Sequence, residues 1–249
     1  MGKKYQQENI DSIWDNVAGS YNYKIYWKGL ENQANLHHLL LHIGNPKGKR
    51  IIEMGCGSGF TSLVLAQKGA NLAILDISQK SLEIASSTFV EFKLSKPEVY
   101  KKDAINSKLP SNSFDIVWNG GVIEHFLDDG KKELIREMYR ITKSRGKIII
   151  LVPNAWCLPF QLAQFWQKIT KKWPYGFEDD ISPRKLKKLC KSLNIEKFKT
   201  YAFNPILGWR WIPKINKLIK VLNYENIKHH CRKSRIGFIS ILIIEKNKA

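Results

Sequence analysis

The sequence has no long apolar run. Its Ala, Val, Ile and Leu stretches are short, and none nears the ~20 residues that a bilayer-spanning helix needs. The opening residues, Met1-Gly2-Lys3-Lys4-Tyr5-Gln6-Gln7-Glu8, lack the apolar centre of a secretory signal, and a cytoplasmic location is the resulting expectation. Cysteine is scarce: Cys56, Cys157, Cys190 and Cys231 stand far apart and form no Cys-x-x-Cys pair. That spacing argues against a disulfide framework and against a zinc site. No His/Asp/Glu cluster has metal-ligand spacing, so no metal is expected. There is no internal repeat and no low-complexity linker. Acidic residues are few, 22 against 41 Lys and Arg, and the formal net charge is +19. Such a charge attracts polyanions, whether nucleic acid, an anionic membrane or a phosphorylated substrate. The lysines are spread along the chain rather than blocked into one tail, which favours simple solvation.

What is present describes a globular chain. A hydrophobic fraction of 43%, with 11% aromatics, fills a core, and 249 residues suit one domain, residues 1–249, with a lid. Residues 1–45 read as a helical cap with Trp14, Tyr21, Tyr23, Tyr26 and Trp27 interleaved, ended by Pro46-Lys47-Gly48. From residue 50 to 153 the pattern alternates. Strands are predicted at 50–54, 72–76, 98–102, 114–118 and 147–152, with helices between them. Gly69 suits a helix C-terminus, Ser78 and Asp128 or Asp129 suit N-caps, and Gly146 marks a helix exit. Ser182-Pro183 opens a further helix, and 197–203 and 236–245 are the last two strands. Strands separated by helices imply a doubly wound α/β fold. The expected sheet is mainly parallel and seven-stranded, with a last antiparallel strand and an aromatic-rich lid.

The segment Glu53-Met54-Gly55-Cys56-Gly57-Ser58-Gly59 falls between the first strand and the first helix of this alternation. Glycines there permit a tight turn and a close ligand, and the helix start offers free N–H groups. The dinucleotide fingerprint G-x-G-x-x-G does not fit: its third glycine would fall on Phe60 or Ser62, and no Walker lysine follows. Three more features end successive strands: Asp76, then Asp103 in Lys101-Lys102-Asp103-Ala104, then Asn119-Gly120-Gly121. In a doubly wound sheet this edge binds ligands, and Asp76 stands where a carboxylate can accept ribose hydroxyls.

With these residues the chain resembles the class I S-adenosylmethionine-dependent methyltransferases. Within them it looks like the group of ubiquinone/menaquinone-biosynthesis methyltransferases and type 11 domains. The resemblance rests on Ile52–Gly59, Leu75-Asp76-Ile77-Ser78, Lys102-Asp103-Ala104, Ser113–Val117, Ile123-Glu124-His125 and Arg145-Gly146-Lys147, and covers roughly residues 14–153. It implies S-adenosyl-L-methionine as cofactor and S-adenosyl-L-homocysteine as product. The backbone of Gly55, Cys56, Gly57 and Gly59 would pack on the methionine part, with Glu53 supporting the loop and the amino group. Asp76 would bind the ribose, Ile77 and Ala104 the adenine, and Asp103 its exocyclic amine. Asn119 and Gly120 would line the sulfonium end, and Tyr21 would close over the cofactor. His125 is the candidate general base, with a structural role as the alternative.

Methyl transfer from a sulfonium is an in-line displacement in which alignment does most of the work. The acceptor is then read from the N-terminal helices, residues 1–45, and from two lid segments, 154–182 and 205–235. The first lid segment is aromatic, which suits a small, apolar or lipid-like acceptor. In the second, Trp209 to Leu222 mixes apolar residues with Arg210, Lys214, Lys217 and Lys220, the pattern of a basic amphipathic helix that lies on anionic membrane or packs on the domain. Glu178-Asp179-Asp180 reads as a charged surface turn, with amine or metal binding as the alternative. Two other functions compete with small-molecule methylation. An RNA methyltransferase would use the charge, but no RNA-binding module or NPPY-type motif accompanies it. A non-catalytic partner-binding protein would not need the cofactor motifs.

Overall fold

A computed structural model describes residues 10–20, 29–212, 215–223 and 226–248. The elements run in the order α1 (Ile10–Ala18), α2 (Leu30–Ile43), β1 (Arg50–Met54), α3 (Phe60–Gln67), β2 (Asn71–Asp76), α4 (Gln79–Glu91), β3 (Glu98–Lys101) and β4 (Phe114–Gly120). A 3-10 turn at Ile123–His125 leads to α5 (Asp128–Ile141) and β5 (Thr142–Pro153). The chain continues with α6 (Leu158–Ile169), α7 (Pro183–Ser192), β6 (Phe198–Phe203), α8 (Leu207–Arg210), α9 (Ile215–Val221), α10 (Ile227–His230) and β7 (Ile239–Glu245).

The strands form one seven-stranded sheet in the order β3-β2-β1-β4-β5-β7-β6. All neighbours are parallel except β7, which is antiparallel to β5 and β6. Central strands are apolar on both faces because helices cover both: Ile51, Ile52, Met54 and Ile148–Ile150 are fully buried. One face packs on Leu134 and Met138 of α5 and Leu186 of α7. The other packs on Leu39 of α2, Leu63 of α3 and Phe160 of α6. Each such Leu, Ile or Met contributes about 1.5–3 kcal/mol by leaving water. The strand order reverses between β1 and β4, so a crevice opens at the carboxyl ends of these strands.

Several local expectations hold. Ser78 caps α4 by accepting from the Ser81 N–H, Ser182 caps α7 with Pro183 at its first position, and Gly69 takes φ +85° just past α3. Others need correction. Neither Asp128 nor Asp129 caps α5: Leu127 holds the cap position and both aspartates lie in the first turn, where they complement the helix dipole. Gly146 is not a helix exit but lies inside β5, which starts five residues earlier than expected. A Cβ there would sit 2.8 Å from the Asp115 carbonyl oxygen and 2.6 Å from Thr142 Cγ2, next to a register shift in the β4–β5 pairing. The stretch from Trp209 to Leu222 forms two short helices, α8 and α9, with Pro213 between them in the sequence. No helix among the described residues is long and apolar enough to cross a membrane.

Candidate active site

The glycine turn is fixed to the end of β2. The Gly55 and Cys56 N–H groups both donate to the Leu75 carbonyl, at 2.7 and 3.0 Å, and the Gly57 N–H donates to Asp76 Oδ2 at 2.8 Å. Gly55 has φ +73°, and a Cβ on it would lie 2.4 Å from Val122 Cγ2, so only glycine lets the loop pass this close. Asp76 receives a second backbone donor, the Ser78 N–H, on Oδ1 at 2.9 Å. Burial pushes its carboxyl up, against these hydrogen bonds and one from the Ile77 N–H. Glu53 is buried beneath the loop and accepts from the Ser62 hydroxyl at 2.5 Å. Burial, reinforced by the Asp76 charge, raises it to about 8. Burial also pushes the Cys56 thiol up, so the turn carries no thiolate. At the end of β3, Asp103 Oδ1 accepts from the Ile105 N–H at 3.0 Å, which sets the Asp103-Ala104 turn.

These groups surround one cavity of about 300 Å³ at the carboxyl ends of β1, β2 and β4. Glu53, Gly55, Cys56, Gly57, Asp76 and Ile77 line it from the first two strands. Asp103 and Ala104 line it from the turn after β3, and Gly120 and His125 from beyond β4. The structure therefore brings together ten of the residues singled out in the sequence. Two others face elsewhere. The Asn119 side chain alternates to the opposite face of β4, where its amide meets Met138 Sδ at 3.3 Å, and Trp118 lines the cavity in its place. Gly59 is a packing residue: at φ +64° a Cβ on it would approach Ala85 Cβ to 2.7 Å. Tyr21 lies outside the described residues.

The second half of the cavity was not legible from the motifs. Ile10 and Trp14 of α1 and Glu31 and Asn35 of α2 close it. Asp15 ties α1 down by accepting from the Ser78 hydroxyl and, at 3.4 Å, the Lys80 N–H. The signal available was polar residues within the stripe 31, 34, 35 and 38 of α2, whose Ala34 and His38 are buried.

His125 lines this half with both nitrogens turned to the protein. Nδ1 is 2.8 Å from the Phe177 carbonyl oxygen, so it carries the proton, and Nε2 faces Glu178 Oε1 at 3.8 Å. Burial lowers the imidazole to about 4. The Glu178-Asp179-Asp180 segment is not the surface turn the sequence suggests. Its backbone straps the sheet edge: the Asp179 N–H donates to the Glu124 carbonyl and the Ile181 N–H to the Pro153 carbonyl. The Glu178 side chain is 7% exposed, burial raises it to about 8, and Gln164 of α6 donates to it at 2.8 Å. Asp180 is buried too and accepts from Gln161 at 2.6 Å. Asp179 alone is half-exposed, between Lys131 and Lys185. Among the described residues no group of three or more His, Cys, Asp or Glu is placed to hold a metal ion.

Comparison with known proteins agrees with this geometry. Residues 52–150 match the Methyltransferase domain family, type 11. A ubiquinone biosynthesis O-methyltransferase of Actinobacillus pleuropneumoniae serotype 7 is 24% identical over 217 residues, 82% of this chain and 89% of the relative. Two solved structures share the fold at low identity. A SAM-dependent methyltransferase from Thermotoga maritima has a TM-score of 0.67 at 18% identity and covers 96% of this chain and 100% of its own. Magnesium protoporphyrin IX methyltransferase from Synechocystis PCC 6803, with bound SAH, has a TM-score of 0.59 at 16% identity, covering 95% and 93%. The chain is a class I S-adenosyl-L-methionine-dependent methyltransferase. Residues 52–150 carry the type 11 domain.

Proposed function

We propose that the protein transfers a methyl group to a small molecule with an apolar body, taken from the surface of an anionic membrane, and releases S-adenosyl-L-homocysteine. The cofactor supplies an activated methyl group on a sulfonium. The backbone of Gly55, Cys56 and Gly57 holds its amino-acid part, and Glu53 supports that loop. Asp76 has lone-pair capacity for the ribose hydroxyls beyond what it gives to the Gly57, Ile77 and Ser78 N–H groups. Ile77 and Ala104 flank the adenine, Asp103 accepts from its amine, and Gly120 borders the sulfonium end. His125 acts as a wall that holds the 177–181 strap rather than as a base.

The observation that carries the membrane reading is the outer face of α6. Leu158, Leu162, Phe165, Trp166 and Ile169 recur at helical spacing and are each 55–66% exposed. Pro159, Phe160 and Gln164 on the opposite face are buried. Exposed Lys168, Lys171 and Lys172 rim the apolar face, and the whole chain carries +19. An apolar helix face with a tryptophan and a lysine rim fits the interface of an anionic bilayer. The same helix holds Glu178 and Asp180 through Gln164 and Gln161, so it touches the strap behind the cavity. The curated relatives named for ubiquinone biosynthesis support an apolar acceptor.

Co-sedimentation with phosphatidylcholine vesicles containing phosphatidylglycerol tests this. The wild-type chain should bind, and the double substitution Phe165→Glu and Trp166→Glu should weaken binding more than about 10-fold, since two inserted side chains are lost. Cofactor affinity by calorimetry should not change. No binding at low salt, or equal binding by the variant, overturns the membrane reading. Asp76→Ala should in turn weaken cofactor binding by about 10-fold or more without unfolding the chain.

A further inference from the structure

We propose that the inner end of the cavity is an ammonium subsite, in which Glu31 and Asn35 hold the protonated amine of the methyl acceptor beside Trp14, so that nitrogen receives the methyl group. The proposal rests on the methyl-transfer reading above and names the acceptor atom, on which the motifs are silent.

Glu31 and Asn35 are four residues apart on α2, so their side chains share one face of the helix, and both line the cavity. Asn35 Oδ1 is buried and has no hydrogen-bond partner among the described residues. Burial raises Glu31 to about 7, and no ion pair among the described residues acts against it. Trp14 lines the same end, stacked at 6.5 Å on Tyr175 and edge-on to His125 at 4.8 Å. Among the described residues Glu124 Oε2 and Asp180 Oδ1 are buried without a hydrogen-bond partner, and neither residue lines the cavity. On a chain of net charge +19, Glu31 puts a carboxyl group at this end of the cavity.

An ammonium group is a donor only, with three N–H bonds and a full positive charge. It needs acceptor oxygens and gains from an aromatic neighbour. Glu31, Asn35 and Trp14 supply that set. A phenol that must lose its proton needs the reverse, a cation or several donors to hold the phenolate. The only Lys or Arg among the described lining residues is Lys102, which adjoins Asp103 at the adenine end. The indole N–H of Trp118, a buried lining donor without a partner among the described residues, is neutral. The curated relative's name specifies oxygen, whereas the polar groups of this cavity specify nitrogen.

The chemistry balances without any further reagent. The bound ammonium gives one proton to a Glu31 carboxylate oxygen and becomes a neutral amine. Its lone pair forms the new N–C bond to the methyl group as the C–S bond breaks. The electron pair of that bond stays on sulfur, leaving a neutral thioether and a methylated ammonium. A group titrating near neutrality suits the transfer of that proton.

The test uses the full chain with S-adenosyl-L-methionine and three matched probes, 4-phenylbutylamine, 4-phenylbutanol and 4-butylphenol. Methyl incorporation is followed by mass spectrometry. The amine should be methylated and the two hydroxyl compounds not. Glu31→Gln should lower kcat/KM for the amine by roughly 10- to 100-fold, the loss expected for a charged hydrogen bond. Its cofactor affinity, by calorimetry, should stay within about twofold, which also shows that the variant folds. Asn35→Asp, which adds a second carboxylate, should keep amine methylation. Preferred methylation of the phenol or alcohol, no methylation of the amine, or an unchanged kcat/KM in Glu31→Gln overturns the subsite. Failure of the methyl-transfer reading is distinguishable, because the wild-type chain would then bind no cofactor.

Discussion

His125 illustrates how far a single residue can be read. Its position after β4 suggested a base, but Nδ1–H is committed to the Phe177 carbonyl and the ring lies low in pKa, at about 4. An asparagine amide can replace an Nδ1–H donor and cannot replace an Nε2 base. Turnover on the acceptor that the probe assay selects should therefore fall less than about threefold in His125→Asn and about 10-fold in His125→Ala, which loses the strap contact. Equal, large losses in both variants, with cofactor affinity intact, would give Nε2 a proton-transfer role instead. The strand-end residues were legible because their meaning is local: a carboxylate just after an apolar run, as at Asp76 and Asp103, faces the ligand edge of a parallel sheet. Asn119 was misread because the parity of a strand buried on both faces is set by its packing partners, here Met138 on one side and the cavity on the other. Glu31 and Asn35 reach the cavity only because α2 packs on β5 and α10, and the polar stripe of α2 does not by itself show where that helix docks.

At the scale of the element, the order and type of all seven strands and of helices α3, α4, α5 and α7 follow from periodicity, since these apolar runs are bounded by Gly, Pro, Ser or Asn. Boundaries failed where backbone geometry rather than pattern decides, as at Gly146 inside β5. The most informative unread element is α6. Periodicity shows that it is amphipathic, but its apolar stripe points outward, because Phe160 and Gln164 serve the core and the strap. The entry to α3 is a second case in which packing and ligand binding separate. Gly59 has the family's spacing, yet its left-handed φ and the nearby Ala85 give it a structural use. Gly59→Ala should destabilise the chain by about 1–3 kcal/mol in urea unfolding, from the positive φ and the 2.7 Å contact together. Ala85→Gly in the same chain should restore only the contact part. Cofactor affinity of the folded protein should stay within about threefold, and a larger loss would return Gly59 to the ligand-contacting turn.

For the molecule as a whole, the buried titratable groups set opposing demands. Glu53 and Glu178 are raised to about 8 and Glu31 to about 7, and Glu124 is also raised by burial. In the unfolded chain these carboxyls ionise near 4.5, so between 4.5 and 8 the folded state holds protons that the unfolded state lacks. Their contribution is therefore present at the acid end of that window and lost as pH rises through it. His38 and His125, both lowered to about 4, act oppositely: below about 6.5 the unfolded chain gains protons there and folding weakens. Between pH 6.5 and 8 the carboxyls act alone, and the cofactor-free chain should lose stability as pH rises. One such group accounts for about 2 kcal/mol over that interval. Glu178→Gln keeps an oxygen near Gln164 and removes the titration. It should match the wild type at pH 6.5 and exceed it by about 1–2 kcal/mol at pH 8 in urea unfolding. A stability difference that does not change with pH would show that Glu178 is ionised in the fold, contrary to its 7% side-chain exposure beside two other buried carboxyls, Glu124 and Asp180.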